Sequence, residues 1–151
     1  MLWEEFRSLA LPLLGEHFPS ELIEDNVDSI VVTSRRDFTT YILSEDERGI
    51  VIAYEGERNT VVPFCITQSL ELAATCLTLL ARDGIATLTD MSYTPQDLLG
   101  PLPHTAFTIS KKSPPFFELT STIDPTVSAT CQSFACARAI AEAYGLQHPQ
   151  A

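Results

Sequence analysis

SIVVTSRRDFTTYILSEDERGIVIAYEGERNTVVPFCI, residues 29–66, decides the fold. Four short runs rich in β-branched and aromatic residues, SIVVTS, FTTYILS, GIVIAYE and TVVPFCI, are separated by RRD, EDER and GERN, which are polar turn chemistry. The pattern predicts an antiparallel meander. Pro63 brings no N–H to a ladder, so the fourth run is expected at an edge or as half a strand.

Upstream, Leu2, Phe6, Leu9 and Leu13 recur at helical spacing, with Glu4, Glu5 and Arg7 opposite. This predicts a first amphipathic helix ended or bent near Pro12 to Gly15, then a short turn of helix capped by Ser20 over ELIEDN. Downstream, Leu70, Ala73, Ala74, Leu77, Leu80 and Ala81 form one helical face. Ser69 is placed to cap that helix and Gly84 to stop it. Leu72, Cys76 and Leu79 add apolar residues on other faces, so the helix is expected to be well buried or to supply a dimer contact. IATLT reads as a further strand, and TAFTIS with FFELTST as a hairpin joined by KKSPP. Asp124 followed by Pro125 reads as the start of a last helix through Val127, Cys131, Phe134, Ala137, Ile140 and Tyr144, closed by Gly145. The sum is an α+β domain spanning 1–146. A mostly antiparallel sheet of about six to seven short strands packs on two or three helices in two layers, and 147–151 form a loose tail.

The chain of 151 residues carries a net charge of −11. Residues 1–60 hold 13 acids against 5 bases, and residues 61–151 hold 7 against 4. Nucleic acid and anionic membranes are gripped by Lys and Arg, so this balance points away from both. Hydrophobic residues at 45 % are enough for a packed core, which excludes global disorder. The opening MLWEEFR is acidic where a secretory signal is basic, and no run approaches the roughly 18 apolar residues of a membrane span. With cysteines expected to be reduced, this leads to a cytoplasmic expectation.

Catalytic motifs are missing. The six glycines form neither a dinucleotide-binding loop nor a P-loop, and no nucleophile elbow or His-Glu-x-x-His occurs. Cys65, Cys76, Cys131 and Cys136 lack metal-pair spacing, and His17, His104 and His148 are far apart in sequence, so no metal and no cofactor is expected. The thiols read as small buried hydrophobes. Cys131, read as lying in the second turn of the last helix, is the best-placed candidate for a thiol nucleophile, with His104 as its base. Lys111 and Lys112 read as protection of a strand edge.

Two features remain for function. Glu16, Glu21, Glu24, Asp25 and Asp28 cluster in sequence, as do Glu45, Asp46 and Glu47; together they would make an acidic face for a basic partner. The long proline-rich loop 90–104 offers Tyr93, Asp97, Leu98, Leu99 and His104 as anchors. The expected function is therefore a non-enzymatic protein-binding domain, chaperone-, immunity- or inhibitor-like, which docks a protein partner and can form a homodimer. The alternative is a small enzyme or ligand-binding domain with Asp90, Tyr93, Asp97 and His104 around a pocket at loop 90–104.

Overall fold

A computed structural model describes residues 1–86, 88–89, 99–113 and 116–148. The meander forms as its β-rich runs and polar turns predict. β1 (Ile23–Asp25), β2 (Ile30–Ser34), β3 (Thr39–Asp46), β4 (Gly49–Glu55) and β5 (Val61–Thr67) pair antiparallel in chain order. The sheet then continues through β9 (Ser128–Cys131), β8 (Phe117–Ser121), β7 (Phe107–Lys111) and β6 (Gly100–Pro101), giving nine strands. The class is α+β as expected, with more strands than the sequence patterns resolve.

Among the described residues, three α-helices cover one face: α1 (Trp3–His17), α2 (Leu70–Asp83) and α3 (Phe134–Gln147). Alternate strand residues meet them in one core: Ile30 and Val32, Tyr41 and Leu43, Ile50 and Ile52, Phe107 and Ile109, Leu119, Ala129 and Cys131. Burial of this apolar area is the main stabilising term, at about 25 cal/mol per Å² removed from water. The residues of opposite parity form a second face that no helix among the described residues covers, and there Val51, Ala53 and Ile66 make a small cluster of their own.

Five local expectations are corrected. Pro12 does not end α1, which runs to His17. Pro12 lies on the exposed side, so the carbonyl left without an N–H partner can turn to water. Ser20 does not cap ELIEDN; Ser20–Leu22 is one 3₁₀ turn with Pro19 at its N-cap, and the chain then extends into β1. The fourth run is a central strand, not an edge. Pro63 is accommodated because β9 pairs only with Cys65–Thr67, leaving the first half of β5 bonded to β4 alone, with a register shift at the bulge opposite Ile52/Ala53.

IATLT is not a strand in its described residues. Leu88 and Thr89 N–H groups both bond to Ile85 O, at 3.0 and 3.1 Å, and Leu88 drops into the core. The last helix starts at Phe134, with Ser133 as its cap (Cys136 N–H to Ser133 Oγ, 3.0 Å), and passes through Gly145 to Gln147. Asp124-Pro125 instead opens a turn: Asp124 Oδ1 accepts from Thr126 N at 3.0 Å, and Val127 N–H returns to Asp124 O at 2.9 Å. The same dipeptide serves as a helix start or as the first half of a β-turn. Here the β-branched residues Val127 and Thr130 follow it into β9.

α2 forms as read. Leu72 N–H bonds to Ser69 Oγ at 3.2 Å, and Gly84 takes φ +86° at the C-cap. Leu72, Cys76 and Leu79 are buried within the chain, where α2 packs between α1 and α3. The turn RRD at 35–37 clamps its end. Arg36 donates to the carbonyls of Leu80, Ala81 and Arg82, and Asp37 Oδ2 accepts from Ile85 N at 3.2 Å. Tyr41 Oη also donates to that carboxylate, and burial together with this bond pushes its phenol far above the ordinary range.

Candidate functional site

The hairpin turn Glu45–Gly49 is the centre of the acidic half. Asp46 pairs with Gly49 across the turn, and Arg48 N–H bonds to Asp46 Oδ1 at 2.8 Å. Gly49 is required at this point. Its φ is +125°, and a Cβ there would stand 2.4 Å from Thr67 O. Glu45 reaches sideways to α1, where Leu2 N–H and Trp3 N–H bond to its two carboxylate oxygens at 2.9 and 3.3 Å. It thus supplies, from another element, the N-terminal cap that Leu2 cannot give, with the sign the helix dipole favours.

The β1–β2 turn lies at the same end of the sheet, because Asp25 pairs with Ile30 and Ile30 with Leu43. Trp3 Nε1 donates to Val27 O at 2.6 Å, tying α1 to this turn. Val27, β-branched and 64 % exposed, is held at φ +73°, with its N–H bonded to Asp25 Oδ1 at 3.0 Å. The structure therefore brings together Asp25, Asp28, Glu45, Asp46 and Glu47. Glu4 and Glu5, in the first turn of α1, join them; helical spacing by itself places these two only opposite the apolar stripe.

Glu16 and Glu21 fall at the opposite end. They flank His17, Pro19 and Leu22, which line a small recess with Arg35 and Arg36 of the β2–β3 turn. Glu24 lies between the two groups on edge strand β1, opposite Val31. The eight acids grouped by sequence are thus divided by the fold.

Two of the gathered acids are already matched. Arg7 holds Asp25 through bonds of 3.0 and 2.5 Å, and Arg48 holds Asp46 at 2.6 Å. Each guanidinium keeps its partner carboxyl below the usual range, helped by a backbone N–H. Among the described residues, Glu4, Glu5, Asp28, Glu45 and Glu47 enter no ion pair.

A recess of about 680 Å³ opens at this turn, between Met1 and Leu2 on one side and Glu45, Asp46, Glu47 and Gln68 on the other. Gln68 also lines a second recess, of about 630 Å³, that runs onto the helix-free sheet face. Its walls include Arg48, Lys112 and Phe116, and Ile66 and Thr130 belong to its lining. The strand register builds this face in rows. One row runs Ser44, Val51, Ile66, Thr130, Glu118, Ser110; the other runs Glu24, Val31, Ile42, Ala53, Pro63. Lys112 Nζ lies 3.0 Å from Glu118 and 3.1 Å from Thr130, so its charge is matched on the spot, and the edge of β7 is covered by β6. The result is a groove, carboxylate-rich at one end, apolar on its floor, and locally balanced in charge at the other.

Of the loop anchors, Tyr93, Asp97 and Leu98 lie outside the described residues, as does Asp90. Leu99 packs partly buried on the core, and Gly100–Pro101 form β6 along the edge of β7. His104 is exposed in the β6–β7 turn at φ +63°. Cys131 belongs to β9 and not to a helix, and it is fully buried. Its contacts are other thiols: Cys65, Cys76, Cys131 and Cys136 meet inside the core. No local pattern signals that meeting, since the four residues lie on four separate elements. Among the described residues, no group of three or more His, Cys, Asp or Glu is arranged to hold a metal ion, and no helix is long and apolar enough to cross a membrane.

No known protein family, curated protein or solved structure matches the chain.

Proposed function

We propose that this chain is a non-enzymatic protein-binding domain, chaperone-, immunity- or inhibitor-like in action, that takes a basic, partly apolar segment of a protein partner into the groove at Gln68. The observation that carries this reading is the asymmetry of that groove. Its one end gathers Glu45, Asp46 and Glu47 beside Met1 and Leu2, while Arg48 and Lys112 are neutralised by Asp46 and Glu118. A cationic side chain gains at the acidic end, where carboxylates outnumber bases, and apolar side chains gain against Ile66 and Phe116.

The test is titration of the full chain with a synthetic peptide of alternating lysines and leucines, and with its glutamate-for-lysine counterpart, at low and high salt. Saturable binding of the basic peptide alone is expected, weakening as salt rises. Glu47→Lys and Asp28→Lys together should weaken it roughly tenfold, mainly through slower association. Equal binding of both peptides, or an unchanged affinity in the double variant, rejects the acidic end as the docking site.

A further inference from the structure

Cys65 on β5, Cys76 on α2, Cys131 on β9 and Cys136 on α3 are the chain's four cysteines, and each is 0 % exposed. Their thiols form a closed ring: Cys65 contacts Cys131 and Cys76, and Cys136 contacts the same two. Two members come from the first part of the chain and two from the last. The ring therefore sits across the seam where β5 meets β9 and α2 meets α3.

We propose that Cys65 and Cys131 are a redox pair, able to close into a cross-strand disulfide that locks β5 to β9. They are direct partners in the antiparallel register, with both side chains on the helix-covered face. Directly opposed residues hold their Cβ atoms about 4.5–5.5 Å apart and their Cα atoms about 4.5–5.5 Å apart, which a disulfide spans with small adjustment. Cys136 is otherwise engaged, since its Sγ donates to Phe64 O at 3.3 Å. Either thiol of the pair can attack first, and the other then resolves the mixed disulfide.

A small-molecule disulfide of the glutathione type completes the chemistry. The thiolate of one member, here Cys65, attacks one sulfur of the oxidant, forming a mixed disulfide and expelling one glutathione thiolate. The Cys131 thiolate then attacks the Cys65 sulfur, closing the protein disulfide and expelling the second. Two protein thiols are oxidised, one glutathione disulfide is reduced to two thiols, and the two protein protons end on those thiols. With all four sulfurs buried, the exchange takes place while the seam is open, during folding or local opening, and the closed bond is then shielded from reductant.

The experiment refolds the reduced, urea-unfolded full chain in a mixed reduced and oxidised glutathione buffer, blocks free thiols, and maps peptides by mass. One disulfide linking Cys65 to Cys131 is expected, with a Tm roughly 10 °C above that of the reduced protein, because the bond closes a long loop. The double variant Cys76→Ala/Cys136→Ala should keep the bond and the gain, while Cys131→Ala should lose both. Four blocked thiols in a chain of native circular dichroism, or a link through any other pair, overturns the proposal. The wild-type peptide map decides even where a variant fails to fold.

Discussion

The sheet is two meanders joined at one strand pair, and the two parts come by their registers in different ways. From β1 to β5 every strand pairs with its chain neighbour, so each register is set by a turn within reach. From β6 to β9 the strands also run as hairpins, but β9 must find β5, more than sixty positions earlier, with α2 and the 85–104 segment in between. Local pairing needs little closure entropy, whereas the β5–β9 junction needs a long loop closed before it gives anything back. The charge divides along the same line, with the carboxylate-rich turns in the first meander. What the contrast teaches is that the acidic end of the groove is built on locally determined strands, while its other end and the core behind it are completed by a distant one.

The sharpest way to break this comparison is to hollow out each part in turn. Ile52→Ala in β4 and Leu119→Ala in β8 remove fully buried side chains, and each should cost about 2–5 kcal/mol in urea unfolding. Trp3, the only tryptophan, reports on the first part. One core joins both parts, so Leu119→Ala should shift the Trp3 fluorescence transition together with the far-ultraviolet circular dichroism. A Trp3 transition left in place would mean that the two meanders unfold separately.

A smaller effect separates the two candidate starts of the last helix. Ser133→Ala should cost about 1–2 kcal/mol, since Ser133 Oγ both caps Cys136 N–H and donates to Leu88 O at 3.3 Å in a buried place. Asp124→Ala, on an exposed turn, should change the urea midpoint much less. A reversed order would restore the helix start at Asp124.

The smallest effect is in pH. Asp25 and Asp46 have folded pKa values below the ordinary 3.8, held down first by Arg7 and Arg48. Their contribution is complete above the unfolded value and is lost as pH falls through the lower folded one. Asp25→Asn should therefore lower Tm modestly near neutral pH, and the gap to wild type should shrink as pH falls below the ordinary carboxylate value and through the lower folded one. Asp124→Asn should show a smaller gap, because Asn Oδ1 still accepts from Thr126. A gap for Asp25→Asn that widens toward acid would contradict the Arg7 pairing.

Much of the first meander was legible. SIVVTS, FTTYILS and GIVIAYE are rich in β-branched and aromatic residues and end in short polar turns, and Ser69 and Gly84 bracket α2 by rules that act within one turn of helix. Pro63 was half legible: the missing N–H does fall where β5 has one partner, but a strand that is edge in one half and central in the other has no local signature. Asp124-Pro125 misled because helix starts and β-turns use the same pair. The acidic site was legible as composition and not as geometry, since Glu16 and Glu21 go to the far end while Glu4 and Glu5 arrive from a helix.

By itself the sequence determined the α+β class, the meander, two of the helix ends it marked and the concentration of acid in the first sixty residues. These rest on side-chain periodicity, cap chemistry and charge, all of which act between near neighbours. Tertiary structure alone decided that β9 lies against β5, that Glu45 caps a helix more than forty positions away, and that four dispersed cysteines share one interior. Each depends on segments that meet only when the common core forms, and a pattern confined to a few residues carries no record of such a partner.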